Sequence, residues 1–309
     1  MSDLILHHYA GSPFSEKIRL IFGFKGLSWE SVNVPVIMPK PDVVALTGGY
    51  RRTPFLQIGA DIYCDTTLMC QVIEAQHPTP SLYPAEAGGA AHLLAQWADS
   101  DLFWVAIPYT MQPAGAASVF AGAPPEMLQA FAADRAAMTT GMKRPSTRDA
   151  AAALQTYLGW LEQQLDGREF LCADVPSIAD FSAAQSIWYI RRAPPVAGIL
   201  QPFPRVADWY ERVAAFGHGH SSKLASDAAL ELARRSTPVA CDVHAGLGFE
   251  AGAAVTVATT DYASDPVGGE LVGLSHDRIT LRRSDERAGT VHVHFPRIGY
   301  SLRSSEAKP

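Results

Sequence analysis

The sequence predicts a three-part chain: an α/β domain over residues 1–82, an all-helical domain over 85–235 and a small all-β extension over 236–309. Three observations carry this. The opening segment interleaves short apolar runs with one amphipathic stretch, in the order strand, helix, strand. From Ala85 the composition turns Ala-rich, with apolar residues at helical spacing. After Ser236 that period gives way to short alternating runs separated by Gly, Pro, Asp and Ser.

Each element follows from local chemistry. Residues 4–8 are a short apolar strand, and residues 13–24 a helix closed by Lys25-Gly26. Pro13 suits a first helical position and Ser12 is a favoured N-cap. Residues 29–36 alternate as a second strand, which completes a βαβ opening. A Pro-rich connection over 35–41 and a weak helical stretch lead to a strand entered at Pro54, a Gly59-Ala60-Asp61 hairpin turn and a helix over about 66–76. The helical domain has its clearest segments at 90–108, 125–142, 149–165, 179–192, 204–216 and 222–234. Pro108 is expected to end or kink the first of them. Ser177, three residues before Asp180, reads as a helix start with a reciprocal cap, a structural role for both.

In the extension, strands are expected at 255–257, 271–274, 279–281 and 291–295, forming a barrel-like or curled sheet packed on the helical domain. Alternation puts Val291, Val293 and Phe295 inward and His292 and His294 toward solvent. Neither this pair with His244 or His276, nor His218 and His220, shows a metal-ligand spacing, so no metal is expected.

Composition narrows the function. With 309 residues, 48% hydrophobic and 18% charged, the chain is ordinary globular material. A formal charge of −6 argues against a nucleic-acid surface. Arg191-Arg192 and Arg282-Arg283 read as solvated surface pairs. Cys64, Cys70, Cys172 and Cys241 form neither a C-x-x-C pair nor a disulfide framework, and are read as reduced. The opening Met1-Ser2-Asp3 lacks the basic region of a signal peptide, and no apolar run approaches bilayer length. A cytoplasmic protein with no membrane partner is expected.

Three motifs carry the chemistry. Tyr9-Ala10-Gly11-Ser12-Pro13-Phe14-Ser15 sets a small hydroxyl at a helix N-terminus, where unpaired N–H groups and the helix dipole favour an anion such as a thiolate. Arg51-Arg52-Thr53-Pro54-Phe55 enters a strand through Thr-Pro, and Asp65-Thr66 starts the helix after the hairpin. Each alone is an ordinary cap or turn; their order and spacing together are far more specific. The set resembles the thioredoxin-like N-terminal domain of the glutathione S-transferase family. The segment from Phe170 to Phe181 and the helix at 204–216 resemble that family's helical domain. The resemblance covers roughly residues 4–216.

The resemblance implies fold, activity and site together. Glutathione would be co-substrate, bound as a thiolate and transferred to a small hydrophobic electrophile. Ser12 would stabilise the thiolate, with Ser15 and Tyr9 as rivals for that role. Thr53, before a cis Pro54, would pair with the cysteinyl main chain, while Asp65 takes the γ-glutamyl ammonium and Thr66 its carboxylate. Phe14, Lys40 and Arg52 would complete the peptide site, Arg52 near the glycyl carboxylate. The electrophile would lie against Phe103, Trp104, Ile107 and Tyr109, joined by Trp188 and Tyr189. A homodimer engaged in detoxification is implied.

Three departures stand out: the Gly48-Gly49-Tyr50 approach to Arg51, Asp-Thr where Glu-Ser is usual, and the added β extension. They keep other functions open: a binding or scaffold protein on the same fold, or a glutathione-dependent lyase, isomerase or dehalogenase.

Overall fold

A computed structural model describes residues 4–305. In the first domain β1 (Ile5–His8) lies parallel to β2 (Ser28–Asn33) and antiparallel to β3 (Phe55–Ile58), which turns through Gly59 into β4 (Asp61–Cys64). Helices α1 (Pro13–Phe24), α2 (Pro41–Thr47) and α3 (Thr66–Gln76) cover this sheet. The Thr53–Pro54 peptide is cis.

The helical domain begins with one long run. Helix α4 (Gly88–Trp97) passes through a π-helical turn at Ala98–Leu102 into α5 (Phe103–Thr110), so Pro108 lies inside the helix, within one turn of its end. The short α6 (Pro113–Val119) follows, then α7 (Pro125–Met138), α8 (Thr147–Gln164), α9 (Ile178–Arg191) and α10 (Pro204–Ala214). Buried Asp180, in the first turn of α9, accepts hydrogen bonds from Ser177 N (2.8 Å), Ser177 Oγ (3.0 Å), Leu171 N (2.9 Å) and Trp209 Nε1 (2.9 Å). One carboxylate thus ties together the loop before α9, its N-terminus and α10.

Two of the contacts between the domains set how closely α1 meets the helices. The Lys17 ammonium, 1% exposed, pairs with Asp99 of the π-helical turn, whose carboxylate also accepts from Ser182 Oγ at 3.3 Å and Gln185 Nε2 at 2.7 Å. Gly23 lets α1 approach the chain after α10: a Cβ there would lie 2.1 Å from the Gly217 carbonyl oxygen.

The last third of the chain departs from expectation. β5 (His220–Lys223) pairs parallel with β2, and α11 (Ser226–Arg235) packs Ala229, Leu230 and Ala233 against the first domain rather than the helices. β6 (Ala254–Thr259), β7 (Val267–Leu274), β8 (Arg278–Asp285) and β9 (Gly289–Pro296) form an antiparallel sheet, with β10 (Tyr300–Ser304) beside β6. β9 pairs parallel with β4, in the register Asp61↔His292 and Tyr63↔His294. The result is one ten-stranded sheet in the order β10-β6-β7-β8-β9-β4-β3-β1-β2-β5. The extension is β, but it continues the first domain's sheet and packs mainly on α2 and α11, reaching the helical domain only locally, at Trp104 and Met138.

That placement corrects the histidines. The chain at Val239 and the Tyr63 ring lie over the face of β9 opposite Val291, Val293 and Phe295, so His292 and His294 are buried rather than turned to solvent. His294 stacks on Tyr63, with Nε2 2.8 Å from Asp61 and Nδ1 3.0 Å from the Thr280 hydroxyl. With Nε2–H donating to the carboxylate, Nδ1 accepts from Thr280. His292 Nδ1 donates to the Val239 carbonyl at 3.0 Å.

Two predictions follow from these buried groups. Asp180→Ala leaves several donors buried without an acceptor and should cost about 3–5 kcal/mol, read as a lower urea midpoint. Burial pushes His7 from 6.5 down to about 4, where its Nε2 lies 2.7 Å from the Gln57 amide oxygen and its ring stacks on Phe55. Being held neutral in the fold, it contributes stability above the unfolded value of 6.5 that is lost as pH falls toward 4, about 3 kcal/mol in all. Urea unfolding across that window should show this decline in the native chain and a flatter curve in His7→Phe, despite the latter's lower stability at neutral pH.

Candidate functional site

Ser12 is the N-cap of α1: its Oγ accepts from Ser15 N at 3.2 Å and donates to the Thr53 carbonyl at 3.3 Å. This hydroxyl joins the helix N-terminus to the Thr-Pro turn, 41 residues away in sequence. Asp65, with φ of 76°, is the N-cap of α3 and accepts from Thr67 N at 2.9 Å, and Thr66 receives Lys17 Nζ on its hydroxyl at 3.4 Å.

A cleft of about 990 Å³ opens between the two domains. Tyr9, Ser12, Phe14, Lys40, Arg52 and Thr53 line its first-domain wall, and Phe103, Trp104, Ile107 and Tyr189 face them from the helices. A smaller hollow of about 100 Å³ holds Pro54, Asp65 and Thr66, and shares Phe14, Arg52 and Thr53 with the cleft.

Some expected residues lie elsewhere. Ser15 is fully buried and does not line the cleft, whereas Tyr9 does, its hydroxyl 3.4 Å from Arg135 Nη2. Tyr109 turns off the lining face of α5 and donates its hydroxyl to the Val196 carbonyl at 2.7 Å, a structural tie. Trp188 is outside the lining, while Arg192, read from sequence as a solvated surface residue, belongs to it.

The extension enters the site. Tyr262 lines both hollows, its ring 3.8 Å from the Arg52 guanidinium carbon and edge-on to Trp104, with 5.0 Å between ring centroids. The Asp261 carboxylate and the Tyr262 carbonyl both accept from Arg52, and Asp265 lies 3.6 Å from Arg51. Tyr300 donates its hydroxyl at 3.2 Å to Asp65. Arg52 and Asp65, expected to take the two ends of a tripeptide, are thus both engaged by this chain. No signal in residues 261 and 262 themselves announces this role; it depends on where β6 and β7 are placed.

Electrostatics separate reactive from inert groups. Burial, reinforced by the Arg135 and Arg51 guanidinium groups, pushes Lys40 down to about 8, while its Nζ lies 3.4 Å from Thr53 Oγ1. Burial raises the Cys64 thiol and takes Cys70 to about 12, so neither is a nucleophile at neutral pH. All four cysteines are free. Among the described residues no group of three or more His, Cys, Asp or Glu is placed to hold a metal, and no helix is long and apolar enough to cross a membrane.

The family model for the glutathione S-transferase N-terminal domain matches residues 6–81, and the model for the glutathione S-transferase C-terminal domain matches residues 130–212. A GST-like protein from Pseudomonas syringae is 42% identical, with a TM-score of 0.81 over 98% of this chain and 100% of that one. FtsZ-localized protein A of Caulobacter vibrioides is 26% identical over 189 residues, 58% of this chain and 73% of that protein. A glutathione S-transferase from Rhodospirillum rubrum shares the fold at 21% identity, with a TM-score of 0.51 over 69% of this chain and 88% of that one.

Proposed function

This chain belongs to the glutathione S-transferase family, and from that premise we propose that it binds reduced glutathione as a thiolate and transfers it to a small electrophile. The observation that carries this reading is the Ser12 hydroxyl, set at the α1 N-terminus and 3.3 Å from the Thr53 carbonyl. A cysteinyl residue pairing with the Thr53 main chain would bring its sulfur beside that hydroxyl. Ser12 would then turn its O–H from the carbonyl to the sulfur, and the helix dipole would add to the preference for the anion. The thiol proton leaves to solvent. Sulfur then forms its bond to carbon as the leaving group departs with its electron pair, the cleft holding the two in line. Asp65 would take the γ-glutamyl ammonium, Thr66 its carboxylate, and Lys40 with Arg52 the glycyl carboxylate. A cytoplasmic homodimer is part of the same proposal.

A second reading, a binding or scaffold protein that makes little use of the peptide site, is favoured by one observation: Asp261 and Tyr300 already engage Arg52 and Asp65. The kinship with FtsZ-localized protein A agrees with it.

Calorimetric titration with reduced glutathione separates the two. Under the transferase reading, Ser12→Ala should bind glutathione within a few-fold of the native chain yet raise the pKa of the bound thiol. Its conjugation rate at pH 7 should fall about ten- to hundred-fold, the loss of a hydrogen bond to a charged sulfur, and partly recover at higher pH. Asp261→Ala frees the Arg52 guanidinium for the glycyl carboxylate and should tighten glutathione binding about tenfold. Absence of binding in both the native chain and Asp261→Ala, with the fold intact by circular dichroism, would give the site to the scaffold reading.

A further inference from the structure

The large cleft carries more positive charge than a tripeptide requires. Six cationic side chains line it, and no Asp or Glu among the described residues does. Arg51 is met by Asp134 and Asp265, Arg52 by Asp261, and Arg135 shares Asp134. Lys40, Arg144 and Arg192 have no carboxylate partner among the described residues. Burial is the main cause of the depressed basicity of Lys40, and the neighbouring Arg135 and Arg51 charges add to it.

The surplus has a local focus. Arg192 lies above the Trp188 ring at 4.9 Å and spends one N–H on the Gly11 carbonyl at 3.0 Å, one residue from Ser12. Its Nε and Nη2 have no protein acceptor among the described residues. The Arg135 guanidinium adds charge nearby, its N–H groups already engaged by Asp134 at 2.7 Å, the Val36 carbonyl at 3.1 Å and the Tyr9 hydroxyl at 3.4 Å, and Tyr189 feels the charge of both arginines. The helical wall beside Arg192 is otherwise apolar, with Phe103, Trp104, Ile107 and Met111 on it. A neutral occupant would strip water from the guanidinium groups without replacing its hydrogen bonds, which is costly.

We propose that the second substrate is an anionic amphiphile: an apolar body bearing a carboxylate, which Arg192 holds, with the Arg135 charge nearby, while its electrophilic carbon lies toward Ser12. This rests on the cleft being the second-substrate site of the transferase reading. The carboxylate takes no part in the bonds that change; sulfur replaces the leaving group at carbon, and the paired charges fix which end of the molecule faces it.

The test is equilibrium binding by calorimetry without glutathione, comparing 4-phenylbutyrate with the neutral 4-phenylbutyramide. The native chain should bind the carboxylate about tenfold or more tightly than the amide. Arg192→Gln should erase most of that preference, weakening carboxylate binding far more than amide binding, and Arg192→Lys should retain part of it. Equal binding of the two probes by the native chain overturns the proposal, a result that needs no variant to fold. So does a preference that survives both Arg192→Gln and Arg135→Gln. Glutathione is titrated separately: if it fails to bind while the carboxylate preference persists, the transferase reading falls and the anion site stands.

Discussion

An unpaired strand edge is the constraint on which the rest of the molecule turns. In the first domain β4 would end the sheet with a row of free N–H and C=O groups, an open template for any other chain. Here β9 takes that place, aligned by Ile62↔Val293 and secured by the His294–Asp61 hydrogen bond between their side chains. Once β9 is fixed, the ladder through β8, β7 and β6 follows, and its curl carries residues 261–265 and Tyr300 back onto the cleft. The charged contacts at Arg52 and Asp65 are downstream of that one pairing. The extension is a wall of the site because it is a neighbour in the sheet.

The opposite wall has a different anchor. Lys17 projects from α1 into a nearly dry seam and meets Asp99, whose other hydrogen bonds come from α9. The carboxylate is delivered by the π-helical turn, which re-phases α5 relative to α4. Phe103 and Trp104 follow directly, facing Phe14, with 4.7 Å between the rings of Phe14 and Phe103, and Tyr262. The same buried charge pair therefore sets the width of the cleft between the Ser12 helix and the aromatic wall. Breaking one partner would leave an uncompensated charge where water does not reach.

Much of this was legible in the sequence where the signal is local. The βαβ opening, the hairpin at Gly59 and the helix at Thr66–Gln76 follow from apolar period and turn chemistry, and the helices from α8 to α10 fall within a few residues of their expected bounds. Ser12, Thr53 and Asp65, read as one constellation, do sit around one cleft and its neighbouring hollow. What escaped is non-local. Alternation in Val291, Val293 and Phe295 describes one buried face and is silent on whether the other is covered, so sequence alone points His292 and His294 to water. The short polar β5 has no apolar period to reveal it; only the edge of β2 makes it a strand. Arg192 looked like surface charge because nothing in its neighbours encodes the cleft it borders, and Asp261 and Tyr262 acquire meaning only through the curl of a sheet joined far away in sequence.

The two edges of the first domain's sheet are both closed by late segments of the chain: β5 at one side and β9 at the other. On the ribosome, where domains complete themselves as they emerge, residues 4–82 would leave the exit tunnel with β2 and β4 bare, and would wait for residues 220–296 before either gained its partner. The first part made is thus the last part finished. Such long-range pairing slows folding and lengthens the time that hydrogen-bonding edges stand open, so the nascent chain has a need for protection that a two-domain protein ending at α10 would not share.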